Sequence, residues 1–346
     1  MNEVRDTAIF YFSGTGNAKQ IALWFAEFAF KKNVNCQTFN IPKTDIKTIE
    51  TLSSETLIVI ISPIHGFNFP KITLNFIKHF PKGKNNIVLM NTRAGMKIGR
   101  FVTPGLTGIA FFFSTLVLKR KGYKIVGQIP FDMPSNWISI HPALNENAVK
   151  FLHEKNYCRV EKHSDKIFMG KPDFLSNRDI IQDVLISPVA LTYYLAGRYA
   201  FAKSFYASIY CDNCGLCVKQ CPVKALIIIN NRPFWTFKCE SCMQCMNSCP
   251  KNAIESAHGL FAFISIVSSI VTSYLLSNAL KINNQTGFVR LLIFTIIFFT
   301  LLWILYRFQH LLIKSKFIGK LISFTSLTHY KFWGRYKSIP DYKWKK

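Results

Sequence analysis

Two cysteine strings constrain this chain more than anything else in it. Cys211, Cys214, Cys217 and Cys221 run into Pro222, and Cys239, Cys242, Cys245 and Cys249 run into Pro250. Both strings read C-x2-C-x2-C-x3-C-P. Three cysteines at that spacing wrap into a tight loop, and their thiolates can take three corners of a 4Fe–4S cube. The fourth, stiffened by its proline, points away to a neighbouring cluster. On that crossed rule Cys211, Cys214, Cys217 and Cys249 hold one cluster. Cys239, Cys242, Cys245 and Cys221 hold the second.

Zinc is the plainer alternative. A zinc ribbon uses two C-x2-C pairs, four ligands in all. Here each string already has four and closes on Cys-Pro. A disulfide framework fits worse, because nothing at the N-terminus resembles a secretory signal. Cys36 and Cys158 stand alone and are expected to be small buried apolar residues. The strings also form an internal repeat. Every cysteine recurs 28 positions later, as do Pro222/Pro250, Ala225/Ala253 and Leu226/Ile254. Between the halves, an apolar run from Ile227, the pair Asn230-Asn231 and the aromatic run to Trp235 predict a β-hairpin. Residues 206–258 resemble a bacterial-type two-cluster ferredoxin, a small α+β domain, which implies electron transfer.

Residues 1–165 alternate between apolar strands and helical stretches. The strands are expected at Ala8–Phe12, Val34–Phe39, Leu57–Ile61, Ile87–Met90 and Lys124–Ile129, with a helix over Lys19–Phe30. Near-continuous apolar strands between helices indicate a doubly wound parallel α/β sheet covered on both faces. Ligands of such sheets sit beyond the carboxyl ends of the strands. There the first strand meets Ser13, Gly14, Thr15, Gly16, Asn17 and Ala18, small and hydroxyl residues opening a helix, as a phosphate cradle requires. The loop lacks the Gly-Lys-Ser/Thr of a Walker motif and the third glycine of a dinucleotide fingerprint. It resembles the FMN-phosphate loop of flavodoxins at Ser13, Thr15 and Asn17 and departs from it at Ala18, where a hydroxyl is common. By that resemblance the strand order is 2-1-3-4-5. Two further loops, Ser62, Pro63, His65, Gly66, Phe67 and Asn91, Thr92, Arg93, are then expected beside the flavin ring. Over 1–258 the chain resembles a family of anaerobe proteins that fuse a flavodoxin-like domain to a two-cluster ferredoxin.

The remainder reads as membrane. Hydrophobic residues make up 49% of the chain. Leu260–Leu280 has 21 uncharged residues, about 31 Å of helix, the depth of a hydrocarbon core. Leu291–Tyr306 follows with 16, and Arg290 and Arg307 are placed to snorkel at its ends. Trp303 and Tyr306 are expected at an interface. Lys and Arg number 43 against 18 acids, a net charge of +25, and the segment from Arg307 onward holds ten cations against Asp341 alone. That bias places the tail in the cytoplasm, and a hairpin then puts the redox domains there too. Phe332, Trp333, Tyr336, Tyr342 and Trp344 interleave with the tail's cations, as in an interfacial segment or a solvated basic tail. Two uncharged stretches remain. Phe101–Leu118 is expected to be an apolar helix of the first fold. Val184–Gly197, with Pro188 inside and too short to span, is expected to be an interfacial linking helix.

The domains are therefore 1–165 for FMN, 166–205 as linker, 206–258 for two 4Fe–4S clusters, 259–310 as a two-helix transmembrane hairpin and 311–346 as a basic cytoplasmic tail. The expected function is a flavin/iron–sulfur oxidoreductase on the cytoplasmic membrane. It would relay low-potential electrons between a soluble carrier and a membrane acceptor such as a neighbouring enzyme or a quinone. The alternative is a non-catalytic shuttle docked to a membrane enzyme. The charge favours an acidic carrier, a soluble ferredoxin or flavodoxin, and membrane lipid. No nucleic-acid motif gathers the cations, so nucleic acid is not an expected partner. No catalytic triad or acid/base carboxylate pair stands out.

Overall fold

The computed structural model describes residues 3–45, 47–50, 52–99, 101–135, 137–141, 144–279 and 287–329. It divides into two compact units, the first reaching Leu195 and the second beginning at Ala196.

The first unit is built on a parallel sheet. Its strands are β1 (Asp6–Tyr11), β2 (Asn35–Asn40), β3 (Leu57–Pro63), β4 (Asn86–Ile98), β5 (Phe101–Thr103), β6 (Lys124–Pro134) and β7 (Asp173–Phe174). They lie in the order β2-β1-β3-β4-β6-β7, with β5 paired to β4. With the three-residue β5 set aside, the first five follow the flavodoxin-like order 2-1-3-4-5. The departures are β5, antiparallel to the tip of β4, and the added edge strand β7, which carries the sheet past residue 165. Helix α1 (Asn17–Lys31) buries Ile21, Ala22, Phe25, Phe28 and Ala29, one face at helical spacing, against the sheet. It ends at Asn33, which adopts φ 55° while the Val34 N–H bonds back to the Ala29 carbonyl.

Three expectations change here. The loop expected at Asn91, Thr92 and Arg93 is strand: β4 runs through to Ile98 and pairs with β6 as far as Gly95 opposite Pro134. The cause is a buried ion pair. Arg93 and Asp132 are register partners, and Arg93 Nε lies 2.7 Å from Asp132 Oδ1. Arg159 and Asp179 close the network, at 3.3 Å from Asp132 and 2.5 Å from Arg93. Second, Phe101–Leu118 is not one helix. It opens as β5, and only Ala110–Arg120 is helical, leaving Phe101, Phe112 and Phe113 exposed. Third, Val184–Gly197 lies inside a 28-residue helix, Leu175–Ala202. Asp183 on that helix accepts from the Thr107 and Gly108 N–H groups at 3.2 and 2.7 Å. One turn earlier Asp179 holds Arg93. The lone cysteines also differ from expectation: Cys36 is half-buried, its thiol pushed up to about 12 by burial, and Cys158 is exposed.

The second unit begins with β8 (Phe205–Ala207), which pairs antiparallel with β11 (Ile254–Ser256). Between them β9 (Leu226–Ile229) and β10 (Arg232–Trp235) form the expected hairpin. Asn230 and Asn231 turn it at φ 54° and 59°, the left-handed pair a two-residue turn requires. Helices His258–Ser277 and Gly287–Leu312 follow, packing Ile264 against Leu302 and Phe261 against Phe298. With Leu175–Ala202 they make three helices long and apolar enough to cross a membrane, at mean hydropathy 2.0, 2.5 and 1.3. Most of the expected turn, 281–286, and the tail beyond 329, with Phe332, Trp333, Tyr336, Tyr342 and Trp344, lie outside the described residues.

What is described of the tail is ordered. Helix Lys316–Phe324 exposes Phe317, Leu321 and Phe324 along one face. Just beyond it, Thr328 Oγ1 accepts from Ser256 N–H at 3.0 Å, and Ser326 Oγ donates to the Ser256 carbonyl at 2.8 Å. Tyr306 is not the interfacial aromatic that hydropathy suggests. It is buried, and its hydroxyl accepts from the Trp235 N–H at 3.2 Å. Trp303 is half exposed.

Removing one partner of a buried ion pair strands the other charge at a cost of about 3–5 kcal/mol. Arg93→Met should therefore lower the stability of the first unit by that amount in urea unfolding of the full chain in detergent. A loss below about 1 kcal/mol, the scale of a surface pair, would show that the network is solvated.

Candidate functional site

The 28-residue repeat persists in the backbone. Asn213 and Ser241, Gly215 and Met243, and Lys224 and Asn252 are each 28 apart, and each pair adopts positive φ. Gly215 and Met243 start the short helices Leu216–Lys219 and Gln244–Ser248. The Ala225 N–H donates to Cys221 Sγ at 3.2 Å, and 28 residues on the Ala253 N–H donates to Cys249 Sγ at 3.3 Å. Donors aimed at sulfur are what a cluster ligand needs, since hydrogen bonds to the sulfurs set a cluster's energetics.

The eight thiols fall into two groups. Cys211, Cys214, Cys217 and Cys249 line one pocket, together with Ile228, Pro233 and Ile254. Cys239, Cys242 and Cys245 lie deeper and act electrostatically on one another, and Cys221 acts on Cys239 and Cys242. Each fourth member thus comes from the opposite string. Among the described residues no three His, Cys, Asp or Glu side chains converge on a point that could hold one metal ion. Thiols spaced around a pocket suit a cube, whereas zinc draws its sulfurs to about 2.3 Å. Burial pushes the Cys217 thiol up to about 11 and the Cys242 thiol up to about 12, and raises Cys239 and Cys245 as well. Near neutral pH such thiols stay protonated unless a cationic core replaces their protons.

One residue outside the cysteine strings stands out. Lys203 is 4% exposed. Its Nζ donates to the Trp235 carbonyl at 2.5 Å and lies over the rings of Phe234, Phe237 and Tyr306 at 4.9, 4.5 and 4.7 Å. Burial lowers its pKa to about 8. Nothing in the sequence marked it, because it precedes the first cysteine string and belongs to no motif.

In the first unit, Ser13, Gly14, Thr15, Gly16 and Asn17 lie at the carboxyl end of β1 and lead into α1, where Ala18 is buried. Gly16 turns the chain at φ 102° and its N–H donates to Ser13 Oγ at 3.0 Å. The α1 N-terminus has no side-chain cap, so the helix's first N–H groups lack an intrahelical partner and can take an anion. The Asn17 amide donates to the Pro134 carbonyl at 2.7 Å, fixing the loop to the end of β6.

The loop after β3 turns at Gly66 and Phe67, with φ 54° and 65°. A Cβ on Gly66 would sit 2.0 Å from the Tyr193 ring, so only glycine admits that aromatic, which also meets Trp137 edge-on. His65 bonds through its backbone N–H to the Asn68 carbonyl at 2.8 Å, and Pro63 ends β3. Ser62 turns inward and bonds Thr73 at 2.8 Å. Asn91 donates to Thr107 at 3.2 Å, Thr92 is buried, and Arg93 is held in its ion pairs. The side chains of Ser62, Asn91 and Arg93 are thus engaged by the protein itself. Tyr193 was invisible to motif reading, because only the fold brings it to Gly66.

Residues 210–254 match the family model described as a 4Fe-4S dicluster domain. No curated protein matches the chain. Solved structures similar to it include a flavodoxin from the domain Archaea, at 11% identity and TM-score 0.30, covering 46% of this chain and 99% of that one. The flavodoxin of Megasphaera elsdenii matches at 15% and 0.29, covering 44% and 98%. The rubredoxin oxygen:oxidoreductase of Desulfovibrio gigas matches at 14% and 0.31, covering 47% of this chain and 37% of its own. The strand order, rather than these distant alignments, carries the fold of the first unit. The cysteine strings and the family match make 210–254 an iron–sulfur segment, so electron transfer belongs to this chain.

Anaerobic reconstitution of the cluster-free protein in weak buffer at neutral pH should release protons from the ligating thiols in addition to those released by the added sulfide. Because burial raises the Cys217 and Cys242 thiols to about 11 and about 12, their share of the thiol release should persist above pH 9 and fade only towards those values. Its absence, followed with a pH indicator, would show the thiols to be ionised beforehand.

Proposed function

We propose that this chain is a membrane-anchored electron relay carrying FMN in its first unit and two 4Fe–4S clusters in its second. The observation that carries this is the crossed grouping of thiols, with Cys249 joining Cys211, Cys214 and Cys217 around one pocket. FMN supplies one- or two-electron exchange, and the clusters supply single-electron steps. The chain's residues bind and orient. Ser13–Ala18 cradles the phosphate at the α1 N-terminus. Pro63, His65, Gly66 and Phe67 border the ring, with backbone amides rather than side chains as the polar contacts. Thr92 and the backbone of Asn91 and Arg93 form the floor at the end of β4. Cys239, Cys242, Cys245 and Cys221 hold the deeper cluster.

The hairpin His258–Ser277 and Gly287–Leu312 supplies the membrane anchor. The third apolar helix lies along the membrane surface. Asp179, Asp183 and Tyr193 tie it to the α/β unit over 15 residues, and only nine remain before it ends at Ala202. Nine residues rise about 14 Å, half a hydrocarbon core. A crossing there would also separate flavin from clusters. Ile181, Val184, Leu185 and Leu195 are exposed on it, and Phe317, Leu321 and Phe324 on the tail helix, as suits the acyl–headgroup boundary. The redox domains then face the cytoplasm, where an acidic soluble carrier docks. A membrane enzyme or quinone takes or gives the electrons on the other side of the relay.

Two outcomes are expected from protein purified anaerobically in detergent. Heat should release one FMN per chain. Cys249→Ser should alter the EPR signal of the cluster served by Cys211, Cys214 and Cys217 and leave the other unchanged. Flavin-free protein, or a change confined to the cluster of Cys239, Cys242 and Cys245, would contradict the assignment.

A further inference from the structure

Lys203 is a buried cation without an anion. Among the described residues no carboxylate pairs with it. Its ammonium meets one carbonyl oxygen and three ring faces, and Arg307 nearby is a second cation. A buried charge left in that state is costly unless an opposite charge lies close. The one negative group acting on it is Cys239, the first ligand of the second string. Its contacts Trp235 and Phe237 lie four and two residues before that cysteine. The Trp235 ring is fully buried.

The other half of the repeat carries a different cation, the half-buried Arg232, which donates to the Ala207 and Ser208 carbonyls at 3.0 and 2.6 Å and lacks the aromatic cage. Counting back 28 positions, Trp235 becomes Ala207 and Phe237 becomes Ile209. The first pocket is lined instead by Asp212 and Lys251 near its mouth, and Cys214 is exposed. Any effect of Lys203 should therefore fall on one cluster and spare its twin.

We propose that Lys203 is a positioning charge that raises the reduction potential of the cluster held by Cys239, Cys242, Cys245 and Cys221, because its unpaired ammonium stabilises the reduced form. The inference rests on the two-cluster assignment. When that cluster accepts one electron from an external reductant, no bond breaks and no proton need move. Its net negative charge grows by one, and a fixed cation in a desolvated cage becomes more stabilising. Tyr306 and Arg307, from the membrane helix Gly287–Leu312, complete the surroundings. The anchor thus helps to hold the cation in place. Burial alone would disfavour the added charge, and Lys203 offsets that at the deeper cluster only. The two clusters then differ in potential, with the exposed one as the port for a carrier.

The test is an EPR-monitored redox titration of the full chain in detergent, purified anaerobically, for wild type, Lys203→Met, Lys203→Gln and Lys203→Arg. Iron content is measured on each sample. Wild type lacking two cluster signals would refute the assignment itself, independently of Lys203. Given two signals, Lys203→Met and Lys203→Gln should shift one cluster to more negative potential by a tenfold change in its reduced-to-oxidised ratio, about 59 mV for one electron. The other cluster should stay at its wild-type value, as should both clusters in Lys203→Arg. Unchanged potentials in both neutral variants, or equal shifts of both clusters, would overturn the proposal. Loss of one cluster's iron from both neutral variants, with Lys203→Arg intact, would also overturn it, since the charge would then hold the cluster rather than tune it.

Discussion

The two cysteine strings are the constraint around which the iron–sulfur segment is built. Clustered negative charge away from water is unfavourable unless a cationic core and hydrogen-bond donors meet it. The chain answers with backbone. Left-handed turns at three repeated pairs of positions aim N–H groups inward, and the Ala225 and Ala253 amides reach the sulfurs that precede each proline. The short strands β8 and β11 then tie the two ends of the segment together. The antiparallel pair is small, so the fold of this segment depends on its inorganic contents more than on an apolar core.

The apolar helix Gly287–Leu312 is part of the same construction. Gly287–Leu312 does not end where its hydropathy ends. Tyr306 enters the core beside Trp235, Phe234 packs at a tilt against Tyr306 and meets His310 edge-on, and Arg307 covers Phe234. A ferredoxin-like segment on a flexible tether would need none of these contacts. Here the β9–β10 hairpin sits on the helix end, held there by packed aromatics. An electron relay benefits from that rigidity.

Much of this was legible in the sequence because its signals were local. The cysteine spacing, the Asn230-Asn231 turn and the apolar strands each depend on near neighbours, and each element formed where expected. What was not legible depended on distant partners. The strand β4 continues through Asn91–Ile98 because Asp132, 39 positions on from Arg93, supplies a counter-ion. Polar residues in that stretch look like a loop until the partner is known. Phe101–Leu118 mixes strand and helix for a similar reason, since the tip of β4 recruits Phe101–Thr103. Tyr306 reads as an interfacial aromatic by hydropathy and is instead a core residue. Lys203 and Tyr193 carry no motif, and only the fold brings them to Trp235 and Gly66.

The central claim is that the two strings cage two cubes. Iron and acid-labile sulfide analysis of anaerobically purified protein tests it most directly. The account predicts about eight iron atoms and about eight sulfides per chain. Iron-free, sulfide-free protein carrying zinc on the same cysteines would contradict it.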